Sequence, residues 1–164
     1  MDSTNLRIGL GEDSHRTAEG GPLRIGGVDV PHGRRLVGHS DADVLLHAVT
    51  DALLGAAGLS DIGELFPNTD EANRGRSSTE MLQLAYERVV AAGFRLVNLD
   101  GVIAAERPKL SPYKQQMIHN IAAALGVEPS QINLKAKTGE GVGAVGREES
   151  IAARVVALVE GIAE

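Results

Sequence analysis

Apolar residues recur at a helical spacing in the segment from His39 to Asp61, which reads HSDADVLLHAVTDALLGAAGLSD. Ser40 and Asp43 have the S-x-x-D spacing of a capping box, so we predict a helix over Asp41–Leu54. Its broad apolar face consists of Val44, Leu45, Ala48, Val49, Ala52, Leu53 and Ala56. Its other face carries Asp43, His47, Thr50 and Asp51. Ionisable groups are costly to bury unless they are paired or bind a metal, so this polar face needs a structural or a chemical explanation.

Strands are predicted on both sides of this helix. Alternating residues indicate a strand over Leu6–Gly11 that runs into Glu12–His15, and Leu, Val and Ile are frequent in Arg95–Glu106 and Ile132–Lys137. A Gly-Gly pair between two short apolar runs predicts a hairpin over Leu23–Val30. The tail, Ile151–Ile162, fits the period of a strand and also that of a helix.

Two more helices are predicted from their start signals. Ser77 and Glu80 form a capping box, and Ser111 is placed as the N-cap of a helix with Pro112 at its first position. The segment Asp61–Asp70 is rich in turn-forming residues and is interpreted as a loop or lid. Together these elements predict an α/β (α+β) two-layer sandwich, in which a mixed, four-stranded type of sheet is covered by about three helices and accompanied by a small hairpin. Residues 1–164 are expected to form a single domain.

Composition narrows the classes of function. The formal net charge of −6 removes the positive field on which generic nucleic-acid binding depends, so no nucleic-acid partner is expected. An acidic protein that handles a polyphosphate needs bound cations to offset its own field. The absence of cysteine excludes disulfides, thiolate metal ligands and a cysteine nucleophile. The N-terminus has no apolar signal core and no apolar run reaches membrane-spanning length, so we expect a soluble, cytoplasmic protein without a membrane partner.

A metal site is one interpretation of three residues from two elements. Asp13 and His15 are two positions apart on the first strand and share one face, and His47 of the long helix can complete a set of two histidines and a carboxylate. Such a set with an open fourth position is typical of catalytic zinc. The alternative is structural, with Asp13 and His15 at the end of a strand and His47 as a hydrogen-bonded core histidine. Glu140 is either a further metal ligand or a solvated loop acid.

Other candidate residues are each open to two interpretations. Gly141–Gly146 matches the G-x-G-x-x-G dinucleotide fingerprint, but the chain ends before a βαβ unit can follow, which favours close backbone packing or phosphate contact. His39 is placed to donate to an anion at a helix N-terminus or lies on the surface. Arg107–Lys109 is a ligand-binding cation or an exposed basic turn. Asp61 binds sugar hydroxyls or is an ordinary loop acid.

One ordered set of motifs extends over nearly the whole chain. It comprises Arg7-Ile8-Gly9, Asp13-Ser14-His15, His39-Ser40-Asp41-Ala42-Asp43, His47–Gly55, Asp61-Ile62-Gly63, Phe66–Asp70, Arg107–Leu110 and Lys135–Glu140. This set closely resembles the 2-C-methyl-D-erythritol 2,4-cyclodiphosphate synthase family. The resemblance implies a phosphorus–oxygen lyase of the non-mevalonate isoprenoid pathway. It would convert 4-diphosphocytidyl-2-C-methyl-D-erythritol 2-phosphate into the cyclic diphosphate and CMP.

The resemblance also implies roles for individual residues. Asp13, His15 and His47 would bind Zn²⁺ or another divalent transition metal, and Glu140 would help to hold Mg²⁺ or Mn²⁺ on the substrate diphosphate. His39 and Thr138 match positions that stabilise the transition state. The substrate's own 2-phosphate is the nucleophile, which agrees with the lack of a recognisable catalytic triad. The positions matched to substrate binding are Ser40, Asp61, Ile62, Gly63, Phe66, Pro67, Asn68, Thr69, Asp70, Ala105, Pro108, Lys109, Leu110, Ser111, Ala136, Lys137 and Arg147.

The family pattern further implies a homotrimer with active sites between subunits and a small-molecule substrate linked to cytidine diphosphate. This chain departs from the pattern at Glu12, where many members have an aromatic residue, and at Lys137, which replaces a common threonine. Ala144 stands where some members have phenylalanine near the threefold axis. Arg147 matches a residue that in some relatives faces an axial cavity able to hold an isoprenoid diphosphate.

Two other functions are compatible with the residues alone. The same metal ligands suit a zinc-dependent hydrolase of another phosphorylated small molecule. The Gly141–Gly146 loop suits a non-catalytic nucleotide-binding module, whose binding would not depend on His47.

Overall fold

The computed structural model describes residues 5–162. Its main sheet contains β1 (Leu6–Glu19), β4 (Arg34–Leu36), β5 (Phe94–Ala104), β6 (Ile132–Lys137) and β7 (Ser150–Gly161). The strand order is β4-β1-β7-β5-β6, and only the β5–β6 pair is parallel. A separate hairpin joins β2 (Leu23–Ile25) to β3 (Val28–Val30). The ambiguous tail is therefore a strand, and it lies in the middle of the sheet between β1 and β5.

Three long helices form the second layer, namely α1 (Val44–Ala56), α3 (Ser78–Ala91) and α4 (Lys114–Leu125). The short helices α2 (Ile62–Leu65) and α5 (Gly143–Gly146) and 3₁₀ turns at Glu71–Asn73, Ser111–Tyr113 and Pro129–Gln131 lie in the connections. The predicted two-layer α/β class is confirmed. The sheet has five strands where a four-stranded type was expected, because the short β4 pairs with the end of β1 at Thr17–Glu19. None of the helices formed by residues 5–162 is long and apolar enough to cross a membrane.

Two glycines allow α1 to lie directly on β1. A Cβ atom on Gly9 would lie 1.9 Å from the carbonyl oxygen of Ala52, and one on Gly11 would lie 1.8 Å from that of Ala48. No side chain fits into such a contact, so strand and helix are in backbone-to-backbone contact here. Because side chains alternate along a strand, Gly9, Gly11, Asp13 and His15 share the face of β1 that meets α1.

The predicted start of α1 is wrong by about one turn. The N-cap is Asp43, whose side chain accepts from the Leu46 amide, and the helix begins at Val44. Ser40 does not cap the helix, because its hydroxyl contacts the His47 ring and accepts from the Ala42 amide. The cause is a tertiary contact, since Asp43 also accepts from the amides of Gly26 and Gly27 in the hairpin turn, each at 2.8 Å.

The other helix signals were partly correct. Ser77 caps α3 by accepting from the Glu80 amide, as predicted, and α4 ends at Gly126 in the left-handed conformation. Ser111 is not an N-cap, because it begins the 3₁₀ turn that precedes α4 and makes no capping bond there. The segment interpreted as a loop contains α2, which Asp61 caps by accepting from the Glu64 amide. The hairpin is confirmed, with Gly26 and Gly27 both at positive φ in its turn.

Adding a methyl group at the β1–α1 contact should destabilise the protein strongly. We expect Gly11→Ala to lower the free energy of unfolding by at least about 2 kcal/mol, because the new Cβ atom would force strand and helix apart. Gly33→Ala is the matched control: a Cβ atom there meets nothing within 4 Å, and a change within about 0.5 kcal/mol is expected. Urea unfolding of both variants measures the difference, and equal stability would contradict the contact.

Candidate metal centre

Three side-chain atoms from β1 and α1 converge on one point. Asp13 Oδ2 lies 2.9 Å from His15 Nε2 and 3.1 Å from His47 Nδ1, and the two nitrogen atoms are 3.2 Å apart. A tetrahedral zinc ion bound at about 2.0–2.1 Å holds its ligand atoms about 3.3 Å from one another. The spacing within this cluster is close to that value, so the fold brings together the three ligands that the sequence pattern suggested.

The outer hydrogen bonds of the two histidines determine which ring nitrogen of each faces the centre of the cluster. His15 Nδ1 donates to the carbonyl of Val37 at 3.0 Å, which leaves the lone pair of Nε2 facing Asp13. His47 Nε2 lies 2.8 Å from Ser78 Oγ, whose own proton is donated to Asp41, so Nε2 donates and the lone pair of Nδ1 faces inward. A carboxylate oxygen and two nitrogen lone pairs therefore point at one another. A metal ion or a proton at the centre removes this repulsion, and the donor set suits a divalent transition metal.

Electrostatics in the cluster agree with a shared cation. Burial acts to raise the pKa of Asp13, but the hydrogen bonds and positive charge of His15 and His47 outweigh it and lower this pKa to about 2. Burial acts to lower the pKa of His15, but its hydrogen bond to Asp13 and the charge of that carboxylate give a net increase. These opposite shifts favour a positive charge shared by the carboxylate and the imidazoles.

A cleft of about 320 Å³ opens above the cluster. Its lining includes the three clustered side chains and Gly38. Six more of the residues matched to the site also line it, namely His39, Ser40, Ile62, Gly63, Phe66 and Asn68. His39 lies at the side of this cleft, where its Nε2 donates to the Asp70 carbonyl at 3.3 Å. Asp51 of α1 accepts from the Ile62 amide at 2.7 Å and so ties the segment Asp61–Asp70 to the same helix.

Nine other matched residues form a second group near the carboxyl ends of β5 and β6. Neighbouring strands connect the two groups: Asp13 of β1 pairs with Ala153 of β7, which pairs with Ile103 of β5, which pairs with Ala136 of β6. The candidate metal ligands and this group are therefore three strand spacings apart, or about 14 Å. The group contains Thr138, Glu140, Ala105, Pro108, Lys109, Leu110, Ser111, Ala136 and Lys137. Within one chain the structure does not bring Glu140 or Thr138 to the metal ligands.

The glycine-rich loop in this second group is not a dinucleotide fingerprint. It contains only the four-residue α5, and the strand that follows, β7, is antiparallel to β5. Glu140 has a positive φ of 52°, and its amide donates to Thr138 Oγ1 at 3.2 Å. A further hydrogen bond of this loop was not predicted. The Glu106 carboxylate accepts from the Gly139 amide at 2.9 Å and so holds the loop against the residues that follow β5.

The departures from the family pattern have local partners. Glu12 pairs with Arg154 on the neighbouring strand at 3.0 Å. Arg147 pairs with Glu149 at 2.9 Å, so its guanidinium is engaged within the chain. Ala144 lines a separate depression together with Arg16 and Arg34. Nothing in the structure explains Lys137, whose side chain is exposed.

Several site residues escaped the sequence analysis. Asn73 and Met81 line the cleft, and Ser78 and Asp41 lie behind His47. Ser78 was not singled out from the sequence, because its neighbour Ser77 already explained the start of the helix. No local signal marks the pair of Asp41 and Ser78, because it joins positions that are 37 residues apart.

The Asp13–His15 pair predicts a pH effect in metal-free protein. The pKa of His15 is raised by the fold, so the stability it contributes is present below its ordinary value of 6.5 and is lost as the pH rises through the folded pKa. Asp13→Asn should lower the His15 pKa, because the carboxylate that raises it is lost while burial, which lowers it, remains. An NMR titration of the His15 ring measures this shift. Asp29→Asn, on the hairpin, is the control, and an equal His15 pKa in both variants would contradict the pairing.

Comparisons with known proteins agree with these observations. The model of the YgbB family matches residues 6–160. A protein of Gemmatimonas aurantiaca named 2-C-methyl-D-erythritol 2,4-cyclodiphosphate synthase is 50% identical over 154 residues, which are 94% of this chain and 93% of that protein. A protein of the same name from Bordetella petrii is 56% identical over 154 residues, which are 94% of this chain and 95% of that protein.

A solved structure gives the same result for the fold. The bifunctional IspDF of Campylobacter jejuni matches with a TM-score of 0.94 and 42% identity, over 98% of this chain and 43% of that longer chain. The match to residues 6–160 and the identity of the two relatives over almost their full length show that this chain belongs to the YgbB family.

Proposed function

We propose that this protein converts 4-diphosphocytidyl-2-C-methyl-D-erythritol 2-phosphate into 2-C-methyl-D-erythritol 2,4-cyclodiphosphate and CMP. The observation that carries this proposal is the convergence of Asp13, His15 and His47 beneath a cleft, in a chain of the YgbB family. The relatives at 50% and 56% identity bear the name of that synthase. We also propose that residues 1–164 act as one domain.

The reaction requires positioning and charge stabilisation rather than a protein nucleophile. An oxygen of the 2-phosphate forms a bond to the β-phosphorus, and the bond from that phosphorus to the bridging oxygen breaks, so that its electron pair leaves with CMP. Zn²⁺ held by Asp13, His15 and His47, and Mg²⁺ or Mn²⁺ held with the help of Glu140, would supply positive charge to the diphosphate.

The chain's own groups have separate tasks in this scheme. His39 and Ser40 present their polar side chains to the cleft, where they bind and orient phosphate oxygens. Ile62, Gly63, Phe66 and Asn68 surround the methylerythritol part, with Phe66 excluding water from it. The loop with Thr138 and Glu140 holds the diphosphate, and the turn from Ala105 to Ser111 holds the cytidine.

We propose that the protein is a homotrimer in which one site combines the metal group of one subunit with the nucleotide group of a neighbour. The separation of about 14 Å between the two groups within a chain supports this arrangement. The sheet face opposite the helices offers a surface for it, since Leu6, Ile8, Leu10 and Val156 are 52%, 74%, 62% and 49% exposed there. Monomeric proteins seldom leave such a continuous apolar face in water.

The catalytic proposal is tested by product identity and by the loss of one metal ligand. Phosphorus NMR of the protein with substrate, Zn²⁺ and Mg²⁺ should show a cyclic diphosphate and CMP. His47→Ala should lower the zinc content and reduce turnover by at least about 1,000-fold, because a ligand of the β-phosphate site is removed. His119→Ala, an exposed histidine on α4, should behave like the wild type. A linear product with oxygen from water, or unchanged zinc content in His47→Ala, would contradict the proposal.

The trimer is tested on the exposed sheet face. Ile8→Lys should shift the protein toward monomers in analytical ultracentrifugation, because it places a charge in the centre of an apolar interface. Val90→Lys is the matched control, because Val90 is exposed on α3, in the opposite layer. A trimer of Ile8→Lys as stable as that of the control would contradict the proposed interface.

A further inference from the structure

A chain of hydrogen bonds extends behind the metal ligand His47. Its Nε2 atom lies 2.8 Å from Ser78 Oγ, and the Ser78 hydroxyl donates to the carboxylate of Asp41. Ser78 is the first residue of α3 and is completely buried, and His47 is 8% exposed. These contacts are made at Nε2, the ring nitrogen that does not face Asp13 and His15, so this series of hydrogen bonds acts on how His47 is held.

The direction of the hydrogen bonds follows from what each group can do. A serine hydroxyl has one proton, and Asp41 as a carboxylate can only accept, so the proton of Ser78 belongs to that bond. Ser78 Oγ must then accept from His47 Nε2. A neutral imidazole that carries its proton on Nε2 has its lone pair on Nδ1, which is the atom that faces Asp13 and His15.

Asp41 is itself held in place as an acceptor. Its Oδ2 atom accepts from the Ser78 amide at 3.1 Å, and its Oδ1 atom accepts from the Asp43 amide at 3.2 Å. Arg24 lies 3.9 Å from the same carboxylate and adds positive charge. These contacts fix the orientation of the carboxylate toward the Ser78 hydroxyl.

The remaining neighbour of His47 cannot replace this arrangement. Ser40 Oγ lies 3.1 Å from Nε2, and its free proton allows it either to donate to that atom or to accept from it. Ser40 alone would therefore leave both tautomers of His47 accessible. Of the two serine contacts at Nε2, only the one backed by Asp41 has a fixed direction, with Nε2 as the donor and Ser78 Oγ as the acceptor.

We propose that Asp41 and Ser78 are positioning residues that hold His47 as its Nε2–H tautomer and so present Nδ1 to the metal. This inference rests on the proposed metal centre. Partners behind a metal-bound histidine commonly change metal affinity by about 10–100-fold, because they fix its tautomer and increase its basicity. The metal affinity of this protein thus depends on a carboxylate that does not touch the metal.

The first test measures zinc affinity, by competition with a coloured chelator, in protein prepared without metal. Ser78→Ala should bind Zn²⁺ at least about 10-fold more weakly than the wild type. Asp41→Asn should show a similar loss. The side-chain amide that replaces the carboxylate has an N–H group, which either faces the backbone N–H of Ser78 or donates to the Ser78 hydroxyl. Ser77→Ala is the matched control: it removes the cap of the same helix, with a stability loss of about 1 kcal/mol, but makes no contact with His47.

The second test measures the tautomer directly in metal-free protein. Long-range proton–nitrogen NMR correlations should show His47 protonated on Nε2 in the wild type and in Ser77→Ala, and a mixture of tautomers or the Nδ1–H form in Asp41→Asn. Thermal unfolding of each variant separates these effects from loss of the fold. Zinc affinity within about threefold of the control, together with an unchanged tautomer, would overturn the proposal.

The two proposals fail in different ways. If the wild type binds no Zn²⁺, the metal centre is refuted, while the tautomer in metal-free protein still decides the role of Asp41 and Ser78. If the wild type binds Zn²⁺ and forms the cyclic product but Ser78→Ala retains full affinity and the same tautomer, only the positioning role is refuted.

Discussion

The direct contact between β1 and α1 is the constraint on which the rest of the site depends. Gly9 and Gly11 leave no side chain between the strand and the backbone of Ala48 and Ala52. Strand and helix run in opposite directions at this contact, so the next residues on the same strand face, Asp13 and His15, meet the previous turn of the helix, which carries His47. A bulky residue at either glycine would separate the elements and with them the three ligand atoms. The convergence of these three candidate metal ligands is therefore a consequence of how closely two elements pack.

The contacts of the Asp43 side chain determine where α1 begins. The carboxylate of Asp43 is completely buried, and this burial raises its pKa, while the amides of Gly27, Leu46 and Gly26 act in the opposite direction. Asp43 thus joins the hairpin turn to the first turn of the helix. Because Asp43 takes the capping role, the segment from His39 to Ala42 remains outside the helix, and its first two residues, His39 and Ser40, line the cleft. The polar side chains of this segment are then free for ligands and for the contacts of His47.

The parts of this structure that could be predicted are those that local chemistry determines. Periodicity located α1, the Gly26-Gly27 turn located the hairpin, and Ser77 located the start of α3. The errors at Ser40 and Ser111 have a common cause: several residues can cap a helix, and tertiary contacts select among them. The pairing of Asp41 with Ser78 has no local pattern at all. Asp13, His15 and His47 were recognisable by residue type, but only the packing of β1 on α1 shows that they meet.

The two halves of the proposed active site differ in whether they need a neighbouring subunit to form. The metal half is formed by contacts within one chain, and its ligands are held from behind by Val37, Ser78 and Asp41. The nucleotide half lies about 14 Å away on the same sheet, where Glu106 holds the loop that carries Glu140. In the proposed trimer, assembly therefore does not create the metal ligands but brings them to a neighbour's diphosphate loop. Metal binding and turnover then depend on different interfaces: the first on the packing of β1 against α1, and the second on the exposed face of the sheet.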